Sequence, residues 1–511
     1  MAQLRSVPSR SGRGRTLLAA TGLVLVAAFA QAPSTALAAG GPVPAAPAAD
    51  GPQLSYVVNA VPGAVETRAV ARAVRAAGGS VVVAYERIGV TVAHSGAPGF
   101  AEAMRAVPGV QSAGATRTAP LRASGTTDIG RPQKVDLKQA LGQARQVERA
   151  RGGTAAGGEP LEPLQWDISA IRADRAAKVD DGSRRVTVAV IDTGVDDTHP
   201  DLKANFSARQ SASCVGGRAD TSPGAWRPWD PASDYHGTHV AGTIAAARNG
   251  VGVAGVAPGV KVAALKVSEP GTSMFYAESV VCAFVFAADH GVAVTNNSYY
   301  VDPWLFNCRG DAGQRAILDA VGRAARYAER RGVVNVAAAG NSAMDLAAPK
   351  LKDTSSPDDS TPVSRTVDPA TCWDVPTQLP GTVTVAATGA KGLRSYYSNY
   401  GLGRIDVAAP GGDSTQVPDL PAKNGNVLST MPGGEYAYLA GTSMATPHVA
   451  GVVALLRSAH PGASPQEIQW LLKLEADNPG CPASDATCTG TRHVNSHYGY
   501  GLVDALDAVR R

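Results

Sequence analysis

From Leu161 onward, short apolar runs alternate with segments of helical length. The runs are "RVTVAVID" (185–192), "VKVAALKV" (260–267), "GVAVTNNS" (291–298), "GVVNVAAAGN" (332–341), "GTVTVAATG" (381–389) and "RIDVAAPG" (404–411). Being apolar at nearly every position, they read as strands buried on both faces. Helices are expected over Ala277–Asp289, Gly313–Arg330 and Met444–Ser458. This alternation predicts an α/β domain over 161–511, a parallel β-sheet sandwiched by helices. Reactive groups in such sheets gather beyond the carboxyl ends of the strands. Asp192, Asn296 and Asn341 all fall there.

Upstream the pattern is smaller. Residues 54–120 read strand, helix, two strands, helix, strand, the order of a small ferredoxin-like α+β domain. A Pro/Ala/Gly linker (39–53) precedes it, and a charged, Gly-rich, weakly patterned stretch (121–160) reads as an exposed connector. In residues 1–38, Arg5, Arg10, Arg13 and Arg15 precede an apolar run, Leu17 to Ala30, and the small residues of "ALA" (36–38). That is the pattern of a cleaved export signal, too short in its apolar part for a comfortable membrane span. The expected product is secreted and free of the membrane.

Composition sharpens this picture. A net charge of +4 over 511 residues argues against a nucleic-acid partner. An exported chain with six cysteines is expected to form disulfides. Cys481 and Cys488 flank the short loop "PASDAT" and are expected to pair. The other four allow three pairings, of which Cys214–Cys282 with Cys308–Cys372 is favoured.

The candidate chemistry begins in "AGTSMATPHVAG" (440–451), where Thr442 and Ser443 open an apolar helix that carries Pro447. Either residue could cap the helix. Ser443 could also be a nucleophile, placed where a helix N-terminus favours developing negative charge. A serine nucleophile needs a base, and the base needs a carboxylate to hold its tautomer. "DYHGTHVAGTIAAA" offers His236 and His239 as bases, and "VAVIDTGVDDTHPDL" offers Asp192 as the carboxylate at a strand end. "HGTH" lacks the glutamate of a zinc-peptidase motif.

These three segments, in the order Asp, His, Ser, resemble the signature motifs of subtilisin-like serine proteases, which carry them in the same order. The resemblance covers roughly Leu161 to Val509. It implies a subtilisin-like fold and an endopeptidase in which Asp192, His236 and Ser443 are catalytic, His239 supporting packing. Asn341 in "VAAAGNS" and the Ser443 backbone N–H would form the oxyanion hole. Ser298, Tyr299, Tyr300 and Gly340 would line the substrate site, where the paired tyrosines depart from the family's apolar-Gly pattern and could reshape the pocket. Residues 54–120 resemble the family's propeptide, an intramolecular inhibitor and chaperone, so a zymogen with a maturation cut in the connector is expected. The resemblance also implies a structural Ca²⁺ held by Asp201, Asn249 and the carbonyls of Ala247, Val251 and Val253, with Glu162 a further candidate. Polypeptide substrates and a monomer follow. The competing reading is a catalytically silent binding or scaffolding protein on the same fold. An esterase is disfavoured because "GTSMA" lacks the second glycine of a nucleophile elbow. An acid-acting serine-carboxyl peptidase would not need the "HGTHVAG" histidine.

Overall fold

The computed structural model describes residues 51–118, 129–150, 158–419 and 423–510. The expected export signal and most of the linker lie outside the described residues. The N-terminal unit runs β1 (Leu54–Ala60), α1 (Ala64–Ala76), β2 (Gly79–Tyr85), β3 (Val90–Ser95), α2 (Phe100–Arg105) and β4 (Val110–Ala115). Its strands lie in the order β2-β3-β1-β4, every pair antiparallel, as a split βαβ unit requires. The period-two alternation of β1 gives the sheet two buried faces. Tyr56, Val58 and Ala60 pack with Val70, Val74, Phe100 and Met104 from its own helices. Val57 faces the other way and joins the core of the larger domain.

The stretch expected to be an exposed connector is partly built into the fold. It contains β5 (Gln133–Lys134) and α3 (Leu137–Ala150), and α3 buries Ala140, Ala144 and Val147 against Leu161, Leu164, Leu428, Tyr436 and Tyr438. The buried residues Ala140, Ala144 and Val147 of α3 do recur at helical spacing, but the charged and Gly-rich composition around them reads as a connector.

The larger domain opens with α4 (Trp166–Ala170) and α5 (Ala173–Ala176), then β6 (Thr187–Asp192), β7 (Ala212–Ser213), α6 (His236–Ala245) and β8 (Lys261–Lys266). Next come α7 (Ala277–Asp289), β9 (Val294–Asn297), β10 (Asn307–Cys308), α8 (Ala312–Arg330) and β11 (Val334–Ala338). An insertion carries β12 (Leu351–Asp353), β13 (Arg365–Val367) and β14 (Cys372–Trp373). The chain continues with β15 (Thr382–Thr388), β16 (Val407–Pro410), β17 (Val427–Met431) and β18 (Glu435–Leu439). It closes with α9 (Thr442–Ala459), α10 (Pro465–Leu474) and α11 (Ala505–Ala508).

All six expected strands lie in one parallel sheet, ordered β16-β15-β11-β9-β6-β8-β7 with β7 added at the edge. Val188 and Val190 of β6 point into a core with Val240, Ile244, Val449 and Val453 from α6 and α9. Ala189 and Ile191 point to the opposite core, with Val280, Phe284, Ile317 and Val321 from α7 and α8. Helices therefore cover both faces, as the continuous apolar strands demand. The three disulfides are Cys214–Cys282, Cys308–Cys372 and Cys481–Cys488, the favoured pairing.

The small domain docks on α8. Asn59 Nδ2 donates to the carbonyl of Ala316 at 2.9 Å, and Ser112 Oγ donates to Asp319 Oδ2 at 2.6 Å. Both polar side chains are buried, so these bonds satisfy groups that the interface removes from water.

Candidate active site

β6 ends on Asp192 and α6 begins on His236, which brings the two side chains together below the surface. His236 Nδ1 lies 2.8 Å from Asp192 Oδ1 and 2.9 Å from Oδ2, with both residues buried. A carboxylate facing Nδ1 keeps the proton on that nitrogen and leaves Nε2 the basic one. The carboxylate is itself oriented, since Oδ1 accepts from the Thr193 N–H at 2.7 Å. Thr193 Oγ1 in turn accepts from the Gly237 N–H at 3.0 Å and ties the start of α6 to the end of β6. His239 lies one turn on, fully buried, with Nε2 3.1 Å from the Ala437 carbonyl. Burial pushes its pKa down to about 3, so it stays neutral and serves packing.

Ser443 is the second residue of α9, which packs beside α6. The cap position belongs to Gly441, without a side-chain cap bond, so neither Thr442 nor Ser443 takes the capping role. Ser443 Oγ donates to the Ser298 carbonyl at 3.2 Å, and Ser298 Oγ donates back to the Ser443 carbonyl at 3.1 Å. Pro447 explains the second bond. Four residues after Ser443, it has no N–H to give to that carbonyl, which therefore takes a donor from outside the helix.

Asn341 follows β11 by three residues. Its Oδ1 accepts from the Thr442 N–H at 2.9 Å and from Thr442 Oγ1 at 2.8 Å, which fixes the plane of the amide. A β-carbon at Gly441 would stand 3.5 Å from both Asn341 Nδ2 and the Ser443 nitrogen. The two donor nitrogens thus border one small space that glycine leaves open. Asn399, which the sequence did not single out, holds this loop in shape: Nδ2 donates to Ala339 O, and Oδ1 accepts from the N–H groups of Ser342 and Met344. No motif marks it, because its role is visible only once the 399 and 340 segments meet.

The two tyrosines that follow Ser298 differ in their surroundings. Tyr299 is buried, stacked on Phe275 with centroids 5.0 Å apart, and its hydroxyl donates to Asn297 Oδ1 at 2.9 Å. Most of its ring packs in the core. Tyr300 donates to Asp358 Oδ2 at 2.5 Å, and both tyrosines border a cavity of about 120 Å³ that Ser298, Gly340, Asn341 and Ser443 also line.

Asp201, Asn249 and Val253 meet away from this cavity. Asp201 is fully buried; Oδ2 accepts from the Val253 N–H at 3.0 Å and the Tyr436 hydroxyl at 3.1 Å, while Oδ1 has no hydrogen-bond partner. Burial pushes its pKa up to about 6. Asn249 Nδ2 donates to Pro200 O at 3.2 Å, and its Oδ1 accepts from the Val251 N–H at 2.9 Å. Glu162 turns elsewhere: both its oxygens are held by Arg248, at 2.5 and 2.8 Å. Buried Glu159 instead faces the loop, accepting from the Val251 N–H at 2.9 Å. Among the described residues no group of three or more acidic, His or Cys side chains forms a metal site. A cation here would need main-chain oxygens, and an orphaned buried carboxylate oxygen beside an oxygen-bearing loop fits Ca²⁺.

The comparisons with known proteins agree with this geometry. Residues 183–501 match the subtilase family, Peptidase S8. Subtilisin BL of Lederbergia lenta is 34% identical over 350 residues, covering 68% of this chain and 100% of that one. M-protease of Shouchella clausii is 34% identical over 349 residues, 68% of this chain and 70% of its own. The epidermin leader peptide processing serine protease of Staphylococcus aureus superposes with a TM-score of 0.63 at 24% identity, over 90% of this chain and 98% of that one. Fervidolysin of Fervidobacterium pennivorans does so at 0.59 and 24%, over 90% and 61%. These last two likenesses speak for the fold. The match over most of the larger domain and the identity to subtilisins give the same answer: the chain belongs to the subtilase family of serine endopeptidases.

Proposed function

We propose that this chain is a secreted endopeptidase, made as a zymogen, that hydrolyses polypeptides through an acyl-enzyme on Ser443. The observation that carries the reading is the buried Asp192–His236 pair, with Nδ1 facing both carboxylate oxygens. In this reading His236 Nε2 takes the proton as Ser443 Oγ attacks the peptide carbonyl. Asp192 stabilises the imidazolium that forms. The carbonyl oxygen, now negative, lies between Asn341 Nδ2 and the Ser443 N–H, donors fixed in advance by Thr442 and the start of α9. His236 then gives its proton to the leaving amine, and water, deprotonated by the same nitrogen, releases the acyl group.

Residues 54–118 act as the propeptide in this reading, docked on α8 through Asn59 and Ser112. A Ca²⁺ held by Asp201, Asn249 and the carbonyls of Ala247, Val251 and Val253 supplies charge to a loop whose own carboxylate is buried unpaired on one oxygen. Export follows the N-terminal signal pattern, and no helix among the described residues is long and apolar enough to cross a membrane. The test is expression of the exported protein beside Ser443→Ala, following size and casein hydrolysis. Wild type should shorten and gain activity while the variant stays long and inert. Equal hydrolysis of casein by both would remove Ser443 from its role.

A further inference from the structure

The cavity beside Ser443 has in its wall a carboxyl group that the chemistry above does not use. Asp374, just after β14, lines it together with Ser298, Tyr300, Leu305, Gly340 and Ser443. It is 3% exposed, and its Oδ1 accepts no hydrogen bond. The hydroxyl of Thr377 faces the carboxyl, and no cationic side chain among the described residues does. The backbone beneath is fixed, since the Asp374 N–H donates to Gln378 Oε1 at 2.8 Å and its carbonyl accepts from the Gln378 N–H at 2.9 Å. On the facing loop Gly340 presents no side chain, and a β-carbon there would come within 3.9 Å of Asp374 Oδ2. Two more carboxyls stand behind the Tyr300 wall, Asp358 on the tyrosine hydroxyl and Asp302 bonded to Asp358.

Burying a carboxylate without a counter-charge is unfavourable, and burial accordingly holds Asp374 well above the usual carboxylate range. A guanidinium or ammonium entering the cavity would let it ionise and would offset the desolvation of both partners. An apolar side chain would leave the carboxyl buried and unpaired, and an acidic one would be repelled.

We infer that this cavity takes the side chain of the substrate residue whose carbonyl is attacked, and that Asp374 makes the enzyme cut after arginine or lysine. This rests on the reading of Ser443 as nucleophile. Asp374 is here a specificity residue, touching substrate away from the reacting atoms.

The test uses the secreted enzyme and Asp374→Asn with succinyl-Ala-Ala-Pro-X-p-nitroanilides, X being Arg, Lys, Phe, Leu or Glu. Diisopropyl fluorophosphate, which needs no side-chain pocket, counts active serines. Wild type should favour Arg and Lys over Phe and Leu by at least about 100-fold in kcat/KM, a floor well below what a buried polar partner can impose. Asp374→Asn should lower the Arg-to-Phe ratio at least about 30-fold while labelling as fully. A labelled wild type that prefers Phe or Leu overturns the inference and leaves the nucleophile standing. An enzyme that neither labels nor cleaves any of the five removes both. Should Asp374→Asn fail to fold, wild type decides: inhibition by benzamidine no stronger than by neutral benzamide overturns the proposal.

Discussion

Ser298 Oγ donates to the main-chain carbonyl of Ser443 at 3.1 Å, the carbonyl that Pro447 leaves without its helical donor. The proline thus couples the Ser298 segment to the candidate nucleophile. Ser298→Ala should lose this bond, lowering stability by about 1 kcal/mol, the usual worth of one buried hydrogen bond. Its kcat should fall more than its KM rises. Adding Pro447→Ala restores a backbone N–H at the right place. Thermal unfolding of the double variant should recover part of the loss, and no recovery would break the link between the two residues.

Asn341 and Gly441 bear on the same small space from opposite sides. Asn341→Ala removes a donor, and kcat should fall about 100- to 1000-fold with KM little changed, the range already established for such a donor in subtilisin. Gly441→Ala should have a similar effect by filling the space, its β-carbon 3.5 Å from each donor nitrogen. Steady-state kinetics on one peptide substrate measure both. A variant that loses KM and keeps kcat would place its residue in ground-state binding instead.

Chelation should lower the thermal midpoint, and by more above pH 6 than below pH 4. Without a cation, the raised pKa of Asp201 means its contribution to stability is present below the unfolded value and lost as pH rises through about 6. A cation favours the ionised form, so its stabilising effect is greatest where the bare carboxylate is most costly. Asp201→Asn should abolish the difference between EDTA-treated and calcium-loaded protein. Scanning calorimetry at about pH 3.5 and about pH 8, on either side of the shift, tests it, and equal EDTA effects at both would exclude Asp201 as a ligand.

The parallel sheet was legible because its strands are apolar on both faces, a pattern few other arrangements produce. Asp192, His236, Asn341 and Ser443 were legible because short Gly-rich turns bracket each of them. Residues whose work is done at a distance in sequence left no such mark. Asn399 shapes the 340 loop, Glu159 supports the 249–251 loop, and Asp374 enters the cavity wall from an insertion rich in turns. The helix α3 had its apolar residues at helical spacing, but it lies in a charged, Gly-rich stretch whose composition reads as a connector.

Arg117 bridges the small domain to the larger one through Glu269 at 2.7 Å and Glu278 at 2.9 Å, with its guanidinium over the Tyr276 ring. Glu278 is fully buried, so removing the cation strands a charge. Arg117→Met should loosen the docked domain, and active enzyme should appear earlier in the culture medium than in wild type. Casein hydrolysis over time reads this, and an unchanged lag would mean that Asn59 and Ser112 hold the domain without help from Arg117.

If the chain is cut between its two domains, anchored residues on both sides limit where. Upstream, Thr118 is fastened to Asp359, its N–H at 2.8 Å and its hydroxyl at 2.5 Å. Downstream, the Ile129 N–H donates to Ala440 O at 2.9 Å, β5 pairs with β18, and α3 packs on Leu428 and Tyr438. A cut after Ile129 would sever a segment that the larger domain holds, so the cleaved bond should lie within 119–128. That stretch, "APLRASGTTD", holds one basic residue, Arg122. If Asp374 selects a cationic side chain, the enzyme should process itself after Arg122, and Edman sequencing of the mature protein should begin at Ala123. Arg122→Gln should then slow processing and Arg122→Lys should preserve it. A mature N-terminus downstream of α3 would show that the arm is discarded, and rapid processing of Arg122→Gln would show that Asp374 does not choose this bond.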